Sequence, residues 1–98
     1  MIVVELRFTG EPSARLAARP AHRELLTRLH AEGRLVAAGP WEDDSGALLL
    51  FDADEPAVRE VLDADPYYRT PGVSVVAVRP WTPVVGSTPG NSGSHSAR

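Results

Sequence analysis

The run of residues 19–40 constrains the fold of this chain more than any other stretch. Three leucines, Leu25, Leu26 and Leu29, follow His22 at offsets of three, four and seven. This spacing places the three leucines and His22 on one helical face. Pro20 has no backbone N–H and a φ angle preset for helix, so the main helix is expected to begin there. Gly33 predicts a left-handed end to this helix, directly before an apolar run typical of a strand.

This interpretation places His22 in the first turn of the helix, with its imidazole on the apolar face. The positive end of the helix dipole disfavours a protonated imidazole there by a few tenths to about 1 kcal/mol. His22 is therefore expected to be biased toward its neutral form. An acidic group opposite would act against this bias and hold the pKa of the imidazole near neutral pH, where it transfers protons most effectively.

Four segments have the alternating or continuously apolar character of strands, namely residues 2–8, 35–41, 47–51 and 73–81. A polar turn over residues 42–46 predicts that the second and third strands form a hairpin. Ser13 is expected to cap a short turn that runs through Ala18, ahead of the main helix. The Gly/Ser/Pro-rich residues 86–98 have no apolar anchor and are predicted to be a disordered tail after a domain of residues 1–85.

A second helix is predicted after the acids and the proline of residues 52–56. Its apolar stripe runs through Val58, Val61 and Leu62 and is continued at the next helical offset by Asp65. Pro66 disfavours helical geometry at the residue before it. The carboxylate of Asp65 is thus expected at a helix end, on the side that faces the core.

The order βαββαβ predicts an α+β, ferredoxin-like fold, with a four-stranded antiparallel sheet and both helices on one face. The fourth strand offers apolar residues to both faces, with Val73, Val75 and Ala77 on one and Val76 and Val78 on the other. Two helices cover one face only, so a second copy of the chain is expected to cover the other. The sequence therefore predicts a homodimer packed sheet to sheet.

Composition excludes several kinds of chemistry. The chain has no cysteine and all ten of its basic residues are arginine, so neither a thiol nor a lysine Schiff base is available. A net charge of −3 without a basic stripe argues against nucleic acid and anionic membranes as partners. Residues 1–8 carry two charges and resemble neither a signal peptide nor a membrane span, which predicts a cytoplasmic protein.

Several short motifs resemble the YciI-like, YCII-related family over roughly residues 1–82. They stand in that family's order and spacing and comprise Arg19 and His22 in RPAH, Gly33-Arg34-Leu35 leading to Ala38-Gly39-Pro40, Gly46, and Asp65-Pro66-Tyr67 followed by Gly72. The resemblance implies a ferredoxin-like domain that dimerises through its sheet into an α/β barrel. It also implies an active site built on a histidine–aspartate pair, for which the matching positions are His22 and Asp65. One family relative is a dehydrochlorinase, and the fold is similar to muconolactone isomerase and to cofactor-independent monooxygenases.

The residues lead to the same pair independently. His22 and Asp65 each interrupt the apolar stripe of a different helix. Burial of either side chain alone would cost several kcal/mol, whereas hydrogen bonding between them removes most of that cost. The ordinary alternative is that His22 is a satisfied core residue and Asp65 a helix stop.

Further residues are predicted to bind substrate. Arg19, three residues before His22, is placed to hold an anionic or phenolate group, with an exposed arginine as the alternative. Tyr67 and Tyr68 are expected to line the pocket or donate a hydrogen bond, with packing as the alternative for one of them. Gly39 and Pro40 are expected to shape a strand end beside the pocket.

The leading hypothesis is a cofactor-independent enzyme in which His22, oriented by Asp65, moves a proton on a small cyclic or phenolic molecule, by isomerisation or by dehydrochlorination-like elimination. No third metal ligand accompanies the histidines, so no metal is predicted. Two alternatives stay open, a non-catalytic dimeric module that binds a small molecule or regulates a partner, and a cofactor-free oxygenase. Whether the protein is an enzyme is not decided by the residues.

Overall fold

The computed structural model describes residues 1–86 and confirms the βαββαβ order. Its helices and strands run β1 (Ile2–Phe8), α1 (Ser13–Ala31), β2 (Leu35–Pro40), β3 (Gly46–Phe51), α2 (Glu55–Ala64), a 3₁₀ helix (Pro66–Arg69) and β4 (Val73–Pro80). Of the predicted tail, all but Gly86 lies outside the described residues. Within residues 1–86, no helix combines the length and the apolar character needed to cross a membrane.

The four strands form one antiparallel sheet in the order β2-β3-β1-β4, which confirms the ferredoxin-like arrangement. Alternate residues of the two central strands are buried, because one face of the sheet carries both helices. The core lies between the sheet and the helices, and every helix and strand contributes to it. Its residues are Ile2, Val4, Leu6, Leu29, Leu35, Ala47, Leu49, Phe51, Val58, Val61, Leu62, Tyr67, Tyr68 and Val73.

The start of α1 differs from the prediction. The helix is continuous over nineteen residues from Ser13, and Pro20 lies inside it rather than at its beginning. A proline at this point removes the N–H that would bond to the carbonyl of Leu16, but its ring lies on the exposed side of the helix and the helix continues. Ser13 is not a cap: it is the first helical residue, and its own N–H donates to the carboxylate of Glu11.

The end of α1 and the start of α2 agree with the sequence. Gly33 has a φ of +78° and closes α1 with paired hydrogen bonds, in which the N–H of Gly33 donates to His30 and that of Arg34 to Leu29. The α2 helix begins after Asp54, whose side chain accepts from the N–H of Ala57 at 3.0 Å. These two caps determine where α1 ends before β2 and where α2 begins.

A bulge changes the predicted faces of β4. The register between β1 and β4 shifts at Glu5 and Leu6, so Val75 pairs with Leu6 while Ala77 pairs with Glu5. An extra residue in one strand reverses the alternation of side chains beyond it. Val75 and Ala77 therefore lie on opposite faces, and Val78 joins the helix-covered face opposite Val4. The uncovered face of the sheet is less apolar along β4 than the sequence predicts.

Candidate functional site

Asp65 sits at a junction between two helices. It ends α2 and begins the 3₁₀ helix, with an extended backbone (φ −101°, ψ 112°) of the kind that the following Pro66 favours. Its Oδ1 accepts the N–H of Tyr67 at 3.0 Å, and its Oδ2 lies 2.7 Å from Nδ1 of His22. The residue is 6% exposed. Both carboxylate oxygens are thus engaged, and the side chain has little freedom to turn.

The hydrogen bond to Asp65 determines the tautomer of His22. A carboxylate only accepts, so Nδ1 of the imidazole carries the proton and donates it to Oδ2. In the neutral ring Nε2 then has a free lone pair. Nε2 has no hydrogen-bond partner among residues 1–86, and His22 lines a cavity. The ring nitrogen that is able to exchange a proton with a ligand is therefore Nε2.

Two tyrosines hold the imidazole from different sides. The ring of Tyr67 stacks on His22, with centroids 3.8 Å apart and an angle of 6° between the planes. Tyr68 meets the same ring edge-on at 5.2 Å and 88°. Tyr67 also lines the cavity, whereas Tyr68 is absent from its wall and packs behind the imidazole. The buried hydroxyl of Tyr68 has no hydrogen-bond partner among residues 1–86.

The electrostatic bias on His22 has a different cause from the predicted one. Burial is the main influence and lowers the pKa of the imidazole below 6.5, while the hydrogen bond and charge of Asp65 raise it in part and the nearby charge of Arg23 lowers it. The helix dipole is not the cause, because His22 lies in the middle of α1 rather than in its first turn. The neutral form is favoured because a charged ring would lose its hydration.

A cavity of about 450 Å³ opens beside this pair, between α1 and the strands β2 and β3. Burial also raises the pKa of the Tyr67 phenol, and this is opposed first by hydrogen bonding to Arg15 and then by the charges of Arg15, Arg19 and Arg23. The wall combines apolar sheet residues with polar helix residues, namely Leu6, Phe8, Arg15, Arg19, His22, Arg23, Leu26, Thr27, His30, Leu35, Val36, Ala37, Ala38, Gly39, Pro40, Asp44, Ala47, Leu49 and Tyr67.

The structure brings most of the sequence-predicted site residues to this cavity. Arg19 and Tyr67 line it directly, and so do Gly39 and Pro40 at the end of β2. Asp65 and Tyr68 are the exceptions, since both contact the imidazole of His22 but neither lines the cavity.

Sequence reasoning missed three charged residues in the wall, Arg15, Arg23 and Asp44. Arg15, Arg19 and Arg23 recur every four residues, which is a helical pattern that would have placed them on one face. The pattern was hidden because the helix was expected to begin at Pro20. Asp44 gives no such signal, because it reaches the cavity through the fold of the β2–β3 turn.

His30 also lines the cavity. Its Nδ1 donates to the carbonyl of Leu35 at 2.8 Å, because a carbonyl oxygen only accepts. In the part of the chain that the structure describes, no three His, Cys, Asp or Glu side chains are grouped closely enough to hold a metal ion.

The fold and the site together define a ferredoxin-like α+β domain with a buried histidine–aspartate pair beside a cavity. The chain belongs to the YCII-related domain family, whose model matches residues 1–82. It is similar to the protein YciI of Escherichia coli O6:H1 (strain CFT073) and to that of Shigella flexneri. Each is 38% identical over 82 residues, a match that covers 71% of this chain and 83% of the relative.

Proposed function

We propose that the protein is a cofactor-independent enzyme in which His22 acts as general base and acid on a small cyclic or phenolic substrate. The observation that carries this proposal is the 2.7 Å hydrogen bond between Nδ1 of His22 and Oδ2 of Asp65, in a buried pair whose histidine lines the cavity. A neutral imidazole whose tautomer is set by a carboxylate is suited to proton transfer, because its second nitrogen is held ready to accept a proton.

The chemistry follows from which nitrogen is free. Nε2 takes a proton from the substrate, and the imidazolium that forms is stabilised by the carboxylate of Asp65. In an isomerisation, the proton returns to a different atom of the substrate while a double bond moves. In a dehydrochlorination-like elimination, the electron pair of the broken C–H bond forms a C=C bond, chloride departs with the C–Cl pair, and the proton passes from Nε2 to water.

The stacked ring of Tyr67 supports this role. It lies parallel to the imidazole at 3.8 Å and keeps the ring plane fixed, while Asp65 fixes its rotation. A base held in one orientation loses less freedom on reaching the transition state. Tyr67 and Asp65 thus orient His22 from two directions, and Tyr67 is a positioning residue.

The test is a screen of lactones and halogenated phenols, read by NMR for product formation and for exchange of substrate hydrogen with D₂O. We expect His22→Ala to lower turnover by about 10²- to 10⁴-fold, the usual share of a general base. Asp65→Asn keeps the shape but not the charge, and a loss of about tenfold or more is expected. Asp63→Asn is the matched control, because Asp63 is exposed on α2.

Turnover that persists in His22→Ala at the rate of the unaltered protein would refute the proposal. If cavity ligands instead bind and are recovered unchanged, the protein is the non-catalytic small-molecule-binding or regulatory module that the sequence left open. Oxygen consumption with an electron-rich phenol would assign the site to the third class, a cofactor-free oxygenase.

We also propose that the protein is a homodimer in which two sheets pack through their uncovered faces. Val3 pairs with Leu50 and Glu5 with Leu48 on that face, and Leu48 is 36% exposed in the single chain. Apolar side chains on an uncovered antiparallel sheet are stabilised by burial against a partner. Val76, 41% exposed on β4, adds to the apolar surface.

Sedimentation velocity at micromolar concentration tests the dimer. Leu48→Glu places a charge in the proposed interface and is expected to give a monomer. Leu16→Glu is the matched control, because Leu16 is 40% exposed but lies on α1, on the other side of the sheet. A monomer in the unaltered protein, or a dimer that only Leu16→Glu disrupts, would contradict the proposed interface.

A further inference from the structure

Arg15 is the most unusual residue of the cavity wall, because its guanidinium is buried. The residue is 6% exposed, and its Cζ lies 4.2 Å from the centre of the Phe8 ring. Its Nη2 donates to Oδ2 of Asp44 at 3.2 Å, the one ion pair that Arg15 makes among residues 1–86. A buried guanidinium has five N–H donors and needs acceptors for them. The bond to one carboxylate oxygen of Asp44 and a contact with the Tyr67 phenol engage only part of this set, so Arg15 keeps unused donors.

Two more arginines share the helical face of Arg15. Arg19 and Arg23 follow at intervals of four residues and line the same cavity. Neither makes an ion pair within the described part of the chain. Among the residues 1–86 that line the cavity, Asp44 carries the one carboxylate. Three guanidinium groups against one carboxylate give the cavity a positive potential, which attracts an anion.

The rest of the wall suits a ring. Sheet residues opposite the arginines are apolar, including Leu35, Ala38 and Leu49. A volume of about 450 Å³ accommodates one substituted ring, in the range of small-molecule sites. The cavity therefore combines an apolar compartment with a cationic side, and both lie beside His22.

Asp44 indicates which anion fits. One oxygen of its carboxylate already bonds to Nη2 of Arg15, so a carboxylate is an acceptor that suits this position. The contact is weakly held, because the Asp44 side chain is 53% exposed and sits on a turn with a left-handed φ of +58°. A ligand carboxylate that made two parallel bonds to Arg15 would be favoured over this single bond.

We propose that the cavity binds a small cyclic carboxylate, that Arg15 holds its carboxylate group, and that Asp44 is an internal competitor which the ligand displaces. This inference deepens the proposed function, since it rests on the same cavity and names the substrate class. Arg19 and Arg23 add long-range attraction. The apolar wall holds the ring where Nε2 of His22 reaches it.

Isothermal titration calorimetry with the full chain tests the proposal, with benzoate as the probe and benzamide as its neutral counterpart. We expect benzoate to bind at least about tenfold more tightly than benzamide, and the difference to shrink as salt is added. Arg15→Gln is expected to remove that preference. Asp44→Asn removes the competitor and is expected to tighten benzoate binding several-fold.

Two control variants match these changes. Asp43→Asn alters the neighbouring carboxylate of the same turn, which bonds to Ser45 rather than to Arg15, and it is expected to leave benzoate binding unchanged. Arg59→Gln removes an exposed arginine on α2 that pairs with Glu55. Circular dichroism establishes that each variant is folded, and Asp44→Asn keeps the test decisive if Arg15→Gln does not fold.

Equal binding of benzoate and benzamide would overturn the inference and leave the proton-transfer proposal standing. Weaker benzoate binding in Asp44→Asn would overturn the competitor role, and inorganic phosphate displacing benzoate at equal concentration would overturn the choice of a cyclic carboxylate. Arg15-dependent benzoate binding in a protein whose His22→Ala variant keeps full turnover would refute the catalytic proposal alone.

Discussion

The two helices lie on the same face of the sheet, yet they bury different chemistry. The most buried residues of α2 are all apolar: Val58, Val61 and Leu62. Those of α1 are mostly polar: Arg15, His22 and Leu29. The α2 helix is therefore a core element that carries Asp65 at its end, whereas α1 is a cavity wall.

This difference explains why the site lies beside α1. A buried guanidinium and a buried imidazole need specific polar partners, and here Asp44 bonds to Arg15 and Asp65 to His22. Apolar side chains pack without such directional requirements. The helix with polar buried residues borders the cavity, and the helix with apolar ones closes the core.

The largest expected effect tests α2 as the core element. Val58→Ala removes two methyl groups from a residue with no exposed surface, and we expect it to lower the free energy of unfolding by about 3 kcal/mol. Urea denaturation followed by circular dichroism measures this. Benzoate binding at 10 °C, where the variant is still folded, is expected to be unchanged.

Arg15→Met is the counterpart on α1. Methionine keeps the aliphatic part of the Arg15 side chain, and the half-exposed carboxylate of Asp44 regains water. The free energy of unfolding is therefore expected to fall by less than about 1 kcal/mol. A loss larger than that of Val58→Ala would contradict the distinction between the two helices.

An intermediate effect is expected at Pro20. Because it lies inside α1, Pro20→Ala restores an N–H for the Leu16 carbonyl and removes a poor helix former, which is expected to raise the free energy of unfolding by about 2 kcal/mol. Ala21→Gly on the same exposed turn is a control that is expected to lower it by about 1 kcal/mol. Unchanged stability in Pro20→Ala would indicate that the helix begins at Pro20 after all.

The smallest effect concerns the pH dependence of His22. Burial lowers the pKa of its imidazole, and Asp65 opposes this, so Asp65→Asn is expected to lower that pKa further. An NMR titration of the ring measures both values, and Asp63→Asn is the matched control. No response to Asp65→Asn would show that the two side chains are not coupled.

The same shift predicts the direction of stability with pH. The unfolded chain binds a proton at His22 near pH 6.5, whereas the folded chain binds it only at lower pH. Stability from this group is therefore fully present above pH 6.5 and is lost as the pH falls toward the lowered pKa. Denaturant midpoints measured across this interval, in the unaltered protein and in His22→Asn, report the difference.

The histidine–aspartate pair of the candidate site could be predicted from local patterns. Asp65 was identified because a carboxylate continued the stripe of α2 and preceded a proline, two constraints that act within a few residues. His22 was identified by the leucines that share its helical face. Both side chains are buried and bonded to each other, as their positions on these stripes required.

The errors arose where tertiary packing outweighed local preference. Pro20 favours a helix start, but the helix extends past it to Ser13, and Arg15 was overlooked as a result. On β4, the bulge opposite Glu5 and Leu6 reversed the predicted faces. The bulge has no signature in a short window of sequence, whereas the arginines at intervals of four residues were a signal for the longer helix that the preference of Pro20 outweighed.

The sequence by itself determined the order of elements, the helix end at Gly33 and the two polar residues that face the core, because each depends on the chemistry of nearby residues. Only the tertiary structure decided that the side chains of Arg15 and Asp44, 29 residues apart, meet at the cavity. The reason is physical: a backbone preference acts over one or two turns, whereas a contact between a helix and a hairpin turn depends on how the whole sheet places them.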